Sequence, residues 1–147
     1  MKPLFLLCLS ILPACAATQN TVFYQYNELE GIKSKTMDRL KWENTIPQGE
    51  SISKALILQG DFSSAHLIQI RGAEKRHVHE FHDSTVFIQS GSGLMHLGKS
   101  SVKVGPGSVI FIPHGLEHYF ENAGSEPATA IAVFSPAFDD KDIKFKE

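Results

Sequence analysis

Residues 107–122 read Gly107-Ser108-Val109-Ile110-Phe111-Ile112-Pro113-His114-Gly115-Leu116-Glu117-His118-Tyr119-Phe120-Glu121-Asn122, and this stretch decides the fold. Its first half carries a β-branched and aromatic run, 109–112, of the kind that packs on a pleated sheet. Pro113 stiffens the corner that follows, and Gly107 and Gly115 permit turns that a Cβ would obstruct. A second short run, 117–120, comes next, and Asn122 closes it with its own side-chain turn. His118 therefore sits one residue into a strand, where its side chain can face inward. The five fixed positions Gly107, Pro113, Gly115, His118 and Asn122 would coincide by chance in fewer than roughly one in ten thousand chains of this composition.

The same texture extends outward from this stretch. From Ser51 onward short apolar-alternating runs recur at 55–59, 65–71, 85–89, 94–97, 102–104, 109–112, 117–120 and 128–134. Gly60-Asp61, Gly91-Ser92-Gly93, Gly98-Lys99-Ser100, Gly105-Pro106-Gly107 and Asn122-Ala123-Gly124 punctuate them. Many short strands at regular spacing, with no helical period, predict an all-β sandwich, barrel or jelly roll over residues 51–147. Residues 18–50 are mixed and polar and read as an N-terminal arm laid across that body, with a turn or two of helix within 34–43. The charged tail from Pro136 is expected to wrap the outside.

The chain's 147 residues are 42% hydrophobic and 20% charged, which fits one globular domain. Fourteen basic against 16 acidic residues argue against a nucleic-acid surface driven by net charge. Ten Phe and many β-branched residues exclude a disordered chain. Residues 1–17 read as an export signal: Lys2, then an apolar run from Leu4 to Leu12 too short to span a bilayer, then Ala14-Cys15-Ala16 as a cleavage site. Leu12-Pro13-Ala14-Cys15 resembles a lipobox, so a lipoprotein anchored at Cys15 is the alternative to a periplasmic or secreted protein. The only two cysteines, Cys8 and Cys15, fall within this signal. Cleavage after Ala16 would leave no disulfide, thiol nucleophile or thiolate ligand.

His77-Val78-His79 is the second informative stretch. Positions i and i+2 of a strand face the same side, so both imidazoles can aim into one interior. His-x-His alone is a weak motif in a chain with seven histidines.

Together the two stretches resemble the paired motifs of the cupin superfamily, in particular its small single-domain bacterial members. Gly72, His77, His79 and Gly91 align with the first motif, and 107–122 with the second at every fixed position. The tail Phe134-Ser135-Pro136-Ala137-Phe138-Asp139-Asp140-Lys141-Asp142 also looks like the tail of many such chains. The resemblance implies a double-stranded β-helix with a divalent ion inside, held by His77, His79 and His118. The glutamate of the first motif is missing: Ser84 stands in its place. His82 and Asp83 are the alternatives for a further ligand. His66 and His96 read as hydrogen-bonded structural residues, His114 as an exposed loop residue, and Glu117 and Tyr119 as alternating away from His118.

Three imidazoles suit Fe, Zn, Mn, Ni or Cu, so the donor set does not select the metal. Open positions beside three histidines are a catalytic geometry. The expectation is an exported metal-dependent enzyme (a dioxygenase, lyase or isomerase) acting on a small chelating anion. A non-catalytic module that binds a metal or small ligand for sensing or uptake is the other class. The expected partner is a small molecule, without nucleic acid or a transmembrane segment; a homodimer is left open.

Overall fold

The computed structural model describes residues 20–146; the export signal expected over 1–17 lies outside the described residues. A hairpin of β1 (Val22–Asn27) and β2 (Gly31–Thr36) is followed by α1 (Met37–Glu43). The body comprises β3 (Ile52–Gln59), β4 (Ser64–Ile70), β5 (His77–His79), β6 (Asp83–Ser90), β7 (Gly93–Leu97) and β8 (Ser100–Val104). It continues with β9 (Val109–Ile112), β10 (His118–Asn122), β11 (Ala128–Ser135) and β12 (Ile143–Phe145). Two five-stranded sheets face one another, ordered β12-β5-β10-β7-β8 and β3-β4-β11-β6-β9. Every pairing is antiparallel. From β5 to β11 the chain passes back and forth between the sheets, which is the winding of a double-stranded β-helix. No helix among the described residues is long and apolar enough to cross a membrane.

The inward parity of each strand builds one core from Ile70, Ile88, Met95, Ile110, Ile112 and Phe120 with Ala128 and Ala130. Gly93 is required within it, because a Cβ there would lie 2.3 Å from the Phe120 ring and 2.1 Å from the Glu121 carbonyl oxygen. Gly115, at φ +75°, takes the left-handed turn of the 113–115 corner, and its N–H donates to the His79 carbonyl at 2.7 Å. That bond ties the loop before β10 directly to β5.

Strand β4 is buried on both faces, with only Ile68 partly open. One face looks into the barrel; the other is covered by α1. Met37 and Leu40, three apart on the helix, pack with Ile57 and Leu67 in a second cluster. Thr36 caps the helix through Oγ1, which accepts from the Arg39 N–H. The helix thus falls within 34–43 but begins only at Met37, because 31–36 pairs as a strand with 22–27.

The tail departs in part from the sequence expectation. Most of it does lie on the outside, but Phe138 and Asp142 turn inward and are buried, and β12 pairs with β5 as an edge strand. Phe138 stacks on Phe134 at 4.5 Å, and this apolar pair draws in a segment whose charges suggest solvent.

Candidate metal centre

Strand register assembles the three imidazoles. His77 and His79 share a face by alternation, and His118 on β10 is the cross-strand partner of His77 on β5. Ring centroids lie 4.3 Å apart for His77–His118, 5.3 Å for His77–His79 and 5.4 Å for His79–His118. One nitrogen from each lies within 4.8 Å of one from each of the others, and all three residues are buried.

The second nitrogens are occupied in a consistent way. His77 Nδ1 donates to the Lys75 carbonyl at 2.8 Å, and His118 Nδ1 to the Leu116 carbonyl at 2.9 Å. His79 Nδ1 faces Asp142 Oδ1 at 3.4 Å. A carbonyl only accepts, so Nδ1 carries a hydrogen in His77 and His118, which makes Nε2 the nitrogen that each ring can offer to a metal. Such outer bonds orient histidine ligands toward a metal. Burial, reinforced by the neighbouring His77 and His79, pushes His118 down to about 4 despite the Leu116 hydrogen bond. Burial likewise lowers His79, against the opposing pull of Asp142. Both rings are therefore neutral near pH 7, the form that binds a divalent ion. The donor set fits one.

The imidazoles open onto a cavity of about 220 Å³ inside the barrel. Its far wall comes from β4, β6 and β11, where Ala128, Ala130 and Ala132 present only methyl groups and so leave room. Ser84, 3% exposed, lies in the same wall.

His82 and Asp83 are not brought to the imidazoles. His82 Nδ1 lies 2.5 Å from Asp142 Oδ2, and its Nε2 faces the Ala137 carbonyl at 3.2 Å, so neither nitrogen is free. Asp83 accepts from the backbone N–H and the Nδ1 of exposed His114, both at 2.8 Å. His66 is buried against Ser64 Oγ at 2.9 Å, and His96 stacks on Tyr119 at 4.0 Å. Glu117 pairs with Arg76 away from the cavity.

Three groups at or beside the site escape sequence reasoning. Glu74 lines the cavity and accepts the Phe120 N–H through Oε2 at 2.9 Å; burial raises its carboxyl, against the pull of His77 and that N–H. Lys54 lines the cavity from β3. Asp142 accepts from Phe81 N–H at 3.1 Å and bridges His79 and His82. Burial alone would raise Asp142, but those hydrogen bonds outweigh it and hold the carboxyl below its usual range. Only Asp142 had a signal, its place in the tail segment 134–142.

A barrel of this winding with three convergent imidazoles at its wall defines a class. Residues 66–134 match the family model for the cupin domain, and together with double-stranded β-helix neighbours this match supports a small bacterial cupin. An uncharacterized protein of Aquifex aeolicus is 37% identical over 79 residues, 54% of this chain and 64% of that one. The chain thus spans less than two thirds of that relative's length. The structure of KdgF from Halomonas sp. superposes with a TM-score of 0.60 at 24% identity, covering 67% of this chain and 93% of that one. A conserved protein with a double-stranded β-helix domain from Klebsiella pneumoniae gives a TM-score of 0.61 at 21% identity, covering 71% and 92%. At these identities the structural likeness establishes the fold.

Proposed function

We propose that this cupin is an exported metal-dependent enzyme whose small anionic substrate chelates a divalent ion held by His77, His79 and His118. The observation that carries the reading is the arrangement of the rings: their Nδ1 atoms are turned to outer partners while the other nitrogens converge on a cavity. When bound there, the ion would serve as a Lewis acid that polarises a substrate oxygen. The protein's own groups supply the rest. Apolar walls from β4, β6 and β11 exclude water and strengthen charge pairing within the cavity. Glu74 is the one carboxyl lining that cavity among the described residues, and it lies outside the imidazole set. Its Oε2 is anchored on Phe120, which leaves Oε1 to give or take a proton. That placement favours a lyase or isomerase over oxygenation.

The test begins with untagged protein from its native compartment. Elemental analysis should find close to one divalent ion per chain, and intact mass should show a chain starting at Ala17. A diacylglyceryl group at Cys15 would favour the lipoprotein form instead. A panel of carboxylates and diketones should then include a compound that is consumed, and Glu74→Gln should abolish turnover while metal content stays the same. Compounds that only raise the melting temperature would identify a binding module, and metal-free protein would overturn the site itself.

A further inference from the structure

Beyond the imidazoles and Glu74, the cavity wall carries an ammonium group in an unusual setting. Lys54 and Ile52 occupy the inward parity of β3, in the sheet opposite His77 and His118, and both line the cavity. Lys54 Nζ sits 4.4 Å above the Phe138 ring. Phe138 in turn meets the His79 ring edge-on at 5.2 Å. One aromatic layer thus separates this cation from an imidazole of the metal centre. Burial lowers the Lys54 ammonium, with Asp142 opposing, as expected of a cation drawn partly out of water.

The partner of Lys54 approaches from the other side. Asp140 on the tail forms its ion pair, with the aspartate side chain 62% exposed and the lysine side chain 29%. An ammonium has three donors, and no other hydrogen bond to Nζ is formed among the described residues. Asp140 is also the one non-glycine residue at positive φ (65°) among them. It is held in a conformation that suits Asn as well as Asp. The cavity's other lysine, Lys75, is exposed, as Lys54 is, and its Nζ lies 5.9 Å from the Phe145 ring.

Resting on the proposed function, we infer that Lys54 recognises a second anionic group on the chelating substrate, and that Asp140 holds the ammonium when that substrate is absent. The substrate class narrows accordingly to small dianions: one end chelates, and a distal carboxylate or equivalent reaches Lys54. Charge supports the match. A divalent ion on three neutral imidazoles, with no carboxylate at Ser84, leaves two positive charges, and Lys54 adds a third once it is released from Asp140, against at most one negative charge from Glu74. A monoanion would leave the ammonium dependent on Asp140 alone.

The experiment uses full-length protein loaded with Ni(II) and two five-carbon probes, 2-oxovalerate and 2-oxoglutarate, which differ by the distal carboxylate. Calorimetry should give 2-oxoglutarate about tenfold or more tighter binding in the wild type. Lys54→Met should shrink that preference to within about twofold and leave 2-oxovalerate unchanged. Asp140→Asn, which keeps the backbone conformation and removes the competing charge, should tighten 2-oxoglutarate about three- to tenfold and leave 2-oxovalerate unchanged. Melting temperatures verify that both variants fold. If nickel and 2-oxovalerate bind but the preference survives Lys54→Met, this inference is overturned and the metal reading stands. An Asp140→Asn protein no tighter for 2-oxoglutarate would remove the competitor role. Failure to take up nickel, or to bind either acid, would sink the metal reading and this inference with it.

Discussion

The two sheets that face each other across the cavity are built for different purposes. In the β5–β10 sheet every donor is tied down: His77 and His118 each bond to a carbonyl two residues back, and His79 leans on Asp142 from the tail. In the β4–β11 sheet the cavity-facing positions are mostly methyl and branched aliphatic groups, with the small Ala128, Ala130 and Ala132 in a row and Lys54, Ser84 and Phe134 as the exceptions. One wall fixes direction; the other provides space. The contrast teaches that metal affinity and ligand capacity should be separable by substitution, because the groups responsible sit on different hydrogen-bonded sheets.

The largest effect should come from the fixed wall. His77→Ala, His79→Ala or His118→Ala should each drop bound metal below about one ion per ten chains by elemental analysis, since three donors are few to begin with. His96→Ala and His114→Ala should leave metal content unchanged. Full occupancy in His118→Ala would break the assignment.

Acid should act next. His66 and His118 are both pushed from the ordinary 6.5 down to about 4, chiefly by burial. Below pH 6.5 the unfolded chain binds protons that the folded chain refuses, so their contribution is lost progressively as pH falls from 6.5 to about 4. Glu74, raised by burial, works in the opposite direction and gains stability as it protonates. The net loss for metal-free protein should be on the order of a few kcal/mol, read from urea midpoints. Saturating metal should move the onset to lower pH, because the ion and the proton compete for the same nitrogen. A flat midpoint between pH 7 and 4 would contradict this.

The fixed wall was also the legible one. His77, His79 and His118 follow from alternation within single strands and from one corner, Pro113 to Gly115, all of which are local in sequence. Turn spacing alone gave a sandwich, barrel or jelly roll; the double-stranded β-helix followed from the family resemblance that those motifs carry. What stayed hidden was contributed across long separations. Glu74 reaches Phe120 over 46 residues, and Asp142 reaches His82 over 60. Lys54 meets Phe138 only because β3 and the tail converge on the barrel. In the tail, Asp139, Asp140, Lys141 and Asp142 look like a solvated run, and only the packing of Phe138 reveals that the last of them is buried.

The open wall should respond differently. Ala130→Leu would fill part of the 220 Å³ cavity from β11 without touching an imidazole. Metal content should remain unchanged, while small chelating acids should bind about tenfold more weakly for lack of room. Loss of metal in this variant would show that the walls are coupled after all.

The smallest effect should come from Ser84, a position where the open wall could be given a donor. It is the register partner of Phe134, whose ring packs on His79 at 5.1 Å, and its side chain lines the cavity. Three neutral imidazoles leave a divalent ion with its full charge, whereas a carboxylate at this position would offset one unit. Ser84→Glu should therefore raise metal affinity by up to about tenfold, because opposite charges pair more strongly where water is excluded. The same neutralisation, with one coordination position filled, should weaken binding of small anionic chelators by a similar factor. The two shifts must move in opposite directions, and that sign pattern separates an electrostatic effect from a loss of fold, which would lower both. Calorimetric titration of Ni(II), and then of 2-oxovalerate, into wild type and variant reads the two constants directly. If both affinities stay where they were, the site does not owe its appetite for anions to the missing carboxylate.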